Sequence, residues 1–167
     1  MFSNIKSDIK AFENHHGKGL LAKFYYPMFT AVLFIRFQSY LYQYKILRPL
    51  SYIIVRLNDF FFGIWVGPKG EIGEGLFLAH ARGLVVNPNT KVGKNCVILQ
   101  RVTLGGPNIV IGDNVEICAG AQIISKRNAP VLNIGNNAVI GAGAVVLNSV
   151  EAGTIVVGYK AKALDPS

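Results

Sequence analysis

His80 is the only histidine that follows His16, and it stands in the segment Leu78-Ala-His-Ala-Arg-Gly-Leu-Val-Val86. With an ordinary pKa near ~6.5, an imidazole is largely neutral at pH 7 and can take a proton from a hydroxyl. On residue type alone, a lone histidine is more often a surface or core residue than a base. Gly105 and Gly106 leave the backbone open to close approach by a bound group, although paired glycines also simply make turns. Cys96 and Cys118 cannot form a disulfide framework and belong to no CxxC pair or metal-ligand cluster, so both are expected as small core residues.

The elements that must position these residues are written in a repeat. Apolar or small residues recur every six positions at Ile72, Leu78, Leu84, Thr90, Cys96 and Val102, then at Ile111, Ile117 and Ile123, and again at Ile134, Ile140 and Val146. A period of six suits neither a 3.6-residue helix nor a plain alternating strand; it fits short strands joined by tight turns. Gly, Asn and Asp cluster where those turns need left-handed backbone, as in Gly93-Lys94-Asn95, Gly112-Asp113-Asn114 and Gly135-Asn136-Asn137. The pattern predicts a parallel β-helix of about four coils at three strands per coil. Two interruptions, around Gly105–Val110 and Lys126–Asn133, mark where the chain leaves the repeat, and such excursions often shape binding sites.

Composition divides the chain in two. Of its 167 residues, 16 of the 18 aromatics lie in 1–66 and 15 of the 18 glycines in 67–167, so an aromatic, helical accessory region precedes the repeat domain. A charged fraction of 16% with 51% apolar residues excludes general disorder. Seventeen basic against nine acidic residues give +8, of which +5 falls in residues 1–62, and this suits an anionic partner without choosing one. The longest uncharged apolar run, Phe24–Ile35, is 12 residues, short of the ~20 that a bilayer span needs. Interfacial helices remain open because Lys23, Arg36, Lys45, Arg48 and Arg56 accompany Phe and Tyr, with packing on the repeat or on another subunit as the plainer alternative. The first 16 residues lack a signal-peptide core, and a cytoplasmic protein is expected.

The His80 segment, the stretch Val97-Ile-Leu-Gln-Arg-Val-Thr-Leu-Gly-Gly106, the segment Ile140-Gly-Ala-Gly-Ala-Val-Val-Leu147 and the ending Val157-Gly-Tyr-Lys-Ala-Lys162 together resemble the serine acetyltransferase family of hexapeptide-repeat acyltransferases. The short N-terminal region is similar to that of its polysaccharide and colanic-acid-type relatives. The resemblance covers about residues 64–164 and implies a left-handed β-helix, a homotrimer, acetyl-CoA as donor and direct transfer to a hydroxyl. It implies His80 as general base, Gly105 and Gly106 beside the donor with their amides as oxyanion donors, Ala119 and Ala142 lining the CoA slot, and Lys160 and Lys162, with Lys126 and Arg127, near its phosphates.

Three departures matter. The family's carboxylates, immediately before the histidine and fifteen positions earlier, are here Ala79 and Trp65, which leaves Glu71, Glu74, a backbone carbonyl or a neighbouring chain to orient His80. The loop Gly106-Pro107-Asn108-Ile109 is short, and the arginine and second histidine of the family's serine site are missing. A sugar hydroxyl in surface-polysaccharide synthesis is therefore the expected acceptor, with serine O-acetylation as the alternative and a non-catalytic structural β-helix as a further one. A γ-type carbonic anhydrase would need three histidines for zinc, and no metal is expected. Dispersed basic residues and the lack of a recognised motif argue against nucleic acid.

Overall fold

A computed structural model describes residues 2–17, 19 and 26–158. Among the described residues three helices come first: α1 (Phe2–His16), α2 (Pro27–Tyr42) and, after a 3-10 turn at Lys45–Leu47, α3 (Arg48–Phe62). Proline in the first turn starts both α2 and α3, where its missing N–H costs no hydrogen bond. Left-handed Gly63 (φ 64°) stops α3, its N–H reaching the Asp59 carbonyl at 2.8 Å.

Among the described residues fourteen short strands, β1 to β14 in chain order, then wind into a parallel solenoid with three faces. The first face stacks β1 (Ile64–Val66), β4 (Leu84–Val86), β7 (Thr103–Gly105), β10 (Gln122–Ile124) and β13 (Val145–Val146). The second stacks β2 (Glu71–Ile72), β5 (Lys91–Val92), β8 (Ile109–Ile111) and β11 (Leu132–Ile134). The third stacks β3 (Phe77–Ala79), β6 (Val97–Leu99), β9 (Glu116–Ile117), β12 (Val139–Ile140) and β14 (Ile155–Val156). The solenoid has about five turns, one more than the expected four. Ile64–Val66 and Ile155–Val156 supply strands beyond the ends of the six-residue series.

Inside, like residues stack on like. Val66, Val86, Leu104, Ile123 and Val146 form one buried column and Leu78, Ile98, Ile117 and Ile140 another. Cys96 is buried in this core and its thiol is pushed up to about 11 by burial. Cys118 corrects the expectation for it, because it is only half-buried beside Glu116, and desolvation first and then that carboxylate raise its pKa.

The helices are tied to the first turn by a buried ion pair. Arg36 of α2 meets Asp8 of α1 at 2.7 and 2.8 Å and donates to the Ile72 and Gly73 carbonyls at 2.6 Å each; Asp8 also accepts the Leu76 N–H at 2.9 Å. Gln38 adds a bond from its amide to the Val66 carbonyl at 2.8 Å. Asp8→Ala leaves the guanidinium buried without its counter-charge and should cost about 3–5 kcal/mol in denaturant unfolding. Replacing both partners by apolar residues of similar size should cost far less.

Candidate active site

The sequence series hid an irregularity that the strand register exposes. Ala79 pairs with Leu99, yet the Arg101 N–H binds the Arg82 carbonyl just as the Gly120 N–H binds Gln100 and the Gly143 N–H binds Ala119. Arg82 thus occupies the place that Gln100, Ala119 and Ala142 take in later coils. His80 and Ala81 are two additional residues in the first of these corners. Leu84, Thr90, Cys96 and Val102 are all buried, so the six-residue count ran on smoothly, passing from one inward column to the next at this point. By the same register, Leu104 to Ile111 is a gap of only one extra residue.

The insertion turns His80 outward. Its backbone is left-handed (φ 52°), its carbonyl accepts the Arg82 N–H at 2.6 Å, and its side chain is exposed while Ala81 is fully buried. The helices build a wall opposite. His15 at the end of α1 stacks on Phe77 at 3.9 Å, and His16 stacks on Tyr26 at 4.0 Å. Between them and the corner lies a cavity of about 310 Å³ lined by Phe12, His16, Tyr26, Met28, His80 and Arg82, among others. His16 is held below the usual imidazole pKa, by burial first and then by the neighbouring His15 and His80. Sequence reasoning passed over His16; only the docking of α1 on β3, which no local pattern encodes, brings it to His80. No carboxylate lines this cavity among the described residues.

Glu71 and Glu74 do not turn toward His80. Glu71 pairs with Lys91 at 3.0 Å, and Glu74 with Lys94 at 3.1 Å and with the Ser7 hydroxyl at 3.0 Å; the lysine, then Ser7, hold Glu74 below the usual carboxylate range. These lysines also line a larger open groove of about 640 Å³ between α2 and the second face. Among the described residues, no group of three His, Cys, Asp or Glu side chains could hold a metal ion.

Along the His80 corner the side chains shrink from Arg82 and Gln100 to Ala119 and Ala142. The corner becomes a strip of surface backbone covered by little more than methyl groups. Gly105 and Gly106 sit on the next corner, one strand of the first face away, about 10 Å for three residues. The Ser125 N–H binds the Gly105 carbonyl at 2.9 Å, which sets Lys126 and Arg127 one coil above them. Lys160 and Lys162 lie outside the described residues.

No protein-family profile matches the chain. It is 37% identical over 97 residues to a serine acetyltransferase of Staphylococcus xylosus, an alignment covering 52% of this chain and 45% of that protein. The serine acetyltransferase of Neisseria gonorrhoeae, solved in complex with serine, superposes with a TM-score of 0.84 at 33% identity, over 97% of this chain and 68% of that one. The chain belongs to the serine acetyltransferase-like family of hexapeptide-repeat acyltransferases. The family enzyme of Brucella abortus, solved in complex with coenzyme A, gives a TM-score of 0.83 at 30% identity, over 96% of this chain and 66% of that one. The chain spans less than half the length of the curated relatives it matches.

Two glycines of this family scaffold separate conformation from space. Gly143 is left-handed (φ 66°) with nothing within 4 Å of an added Cβ, so Gly143→Ala should cost about 1–2 kcal/mol. Gly106 (φ 100°) faces the Ser125 carbonyl and hydroxyl, where a Cβ collides with both, so Gly106→Ala should cost about 3 kcal/mol or more. Parallel thermal melts of the two variants compare these costs.

Proposed function

We propose that this chain is an acetyl-CoA-dependent O-acetyltransferase with His80 as its general base. The carrying observation is that one expanded corner holds an exposed imidazole at a cavity, next to a corner strip stripped to Ala119 and Ala142. The acceptor hydroxyl gives its proton to the His80 ring as its oxygen attacks the thioester carbonyl carbon. Collapse of the tetrahedral adduct breaks the C–S bond, and the imidazolium returns the proton to the departing thiolate, leaving an acetyl ester and free CoA. The pantetheine arm follows the alanine strip, where a larger side chain would obstruct it.

The amides of Gly105 and Gly106 suit the oxyanion, an interaction worth ~3 kcal/mol where single donors have been removed elsewhere. Within one chain they stand across a strand from His80. A homotrimer that sets this corner of one copy against the His80 corner of the next would complete the site, with Lys126, Arg127, Lys160 and Lys162 as charges for the CoA phosphates.

Serine acetyltransferase relatives, one of them solved with serine, support L-serine as acceptor ahead of the saccharide expected from the sequence. One observation favours the saccharide as a second reading: among the described residues, the cavity offers no carboxylate for an α-ammonium group. Thiol release from acetyl-CoA with L-serine, nucleotide sugars and oligosaccharides decides between them. His80→Ala should abolish release with any acceptor while CoA still binds; near-normal turnover would sink the base assignment, and failure of the parent chain to bind CoA would favour a non-catalytic solenoid. His16→Ala should raise KM for the acceptor about tenfold, the worth of one neutral hydrogen bond, with KM for acetyl-CoA unchanged.

A further inference from the structure

Helix α3 is apolar on the side it shows to solvent. The residues it buries are Ser51, whose hydroxyl donates to the Gln38 carbonyl at 2.9 Å, Val55, and Asn58, whose amide group has no hydrogen-bond partner among the described residues. Its exposed face carries Leu50, Ile53, Leu57, Phe60 and Phe61, three or four residues apart, and Ile46 extends the stripe onto the preceding turn. Ile46 is 88% and Phe60 81% exposed, at opposite ends of a stripe about 22 Å long. Scattered apolar residues on a surface need no explanation, but a continuous helical stripe does.

The flanks of the stripe say what covers it. Tyr44 and Tyr52 are exposed beside it, as are Lys45 and Arg56, and the Arg48 guanidinium is held 4.8 Å over the Tyr42 ring. Between Pro27 and Phe62 the sequence has four cations and one carboxylate, Asp59; among the described residues only Arg36 of these cations has an ion-pair partner, Asp8. Amphipathic rings and cations around an apolar strip match the boundary between acyl chains and anionic headgroups. A two-fold contact with a second copy would instead bring Lys45 and Arg56 toward like charges. Among the described residues no helix is long and apolar enough to cross a membrane, so contact would be in the plane of the interface.

We propose that the outer face of α3 docks on an anionic lipid bilayer, with the Ile46–Phe61 stripe at the acyl boundary and the exposed Lys45 and Arg56 on the lipid phosphates. Docking does not depend on acetyl transfer. Pelleting of the full chain with vesicles of phosphatidylcholine containing a third phosphatidylglycerol, against phosphatidylcholine alone, tests it, with mass by light scattering in parallel.

The chain should pellet with the anionic vesicles, less with the neutral ones, and less as salt rises. Phe60→Glu and Ile46→Glu, both at strongly exposed positions, should each abolish pelleting without changing the oligomeric mass. Lys45→Ala and Arg56→Ala should each weaken it about fivefold, and His80→Ala should leave it unchanged. A chain that stays in the supernatant at low salt overturns the proposal. So does a Phe60→Glu variant that pellets like the parent, or one whose oligomer falls apart, which would identify a second copy as the occupant.

Discussion

Coil-on-coil hydrogen bonding admits only a backbone that turns sharply at the end of every two- or three-residue strand, and the whole molecule rests on meeting that demand. At one corner it is met by left-handed Asn95, Asn114 and Asn137 (φ 54°, 56° and 59°), whose amides hydrogen-bond up the stack at 3.3 and 3.2 Å. Asparagine tolerates this conformation better than other side chains, and its amide supplies a partner to the next coil. Once the corners are fixed, each strand's inward residue falls on the one below, and the core follows as columns of Ile, Leu and Val.

Such regularity makes departures from it conspicuous and costly, and the chain concentrates them around the proposed site. The two residues added at His80 and Ala81 lift one corner off the prism. The single extra residue before Ile111 opens the Gly105–Gly106 turn. The buried Asp8–Arg36 pair fixes α1 and α2 over the first turn, and that docking sets His16 across the cavity from His80. One ion pair far from the imidazole thus decides the shape of the space in front of it.

The sequence carried the solenoid and the helical region openly, because a period of six with left-handed turn residues has few other solutions. The coil count came out one short, since the first and last strands, Ile64–Val66 and Ile155–Val156, lie outside the uninterrupted series. The corner insertion was invisible for a physical reason: each inward core residue, such as Val86, Val92, Ile98 or Leu104, has a second buried residue two positions before it, so Leu84, Thr90, Cys96 and Val102 kept the count while the register slipped. His80 was legible through the segment around it. His16 was not, because tertiary docking alone makes it a neighbour. Glu71 and Glu74 read equally well as orienting groups or surface charges, and lysines one coil on, Lys91 and Lys94, hold them.

The expanded corner at His80 is the feature on which the proposed acetyl transfer rests. Deleting His80 and Ala81 together restores the turn used by the later coils, Leu99-Gln100-Arg101 and Cys118-Ala119-Gly120. Acetyl-CoA turnover of this deletion variant, measured by thiol release alongside its circular dichroism and melting curve, is the most direct test. A folded β-solenoid without measurable turnover is the expected result, and turnover within about tenfold of the parent chain, a loss of only ~1.4 kcal/mol in transition-state stabilisation, would contradict it.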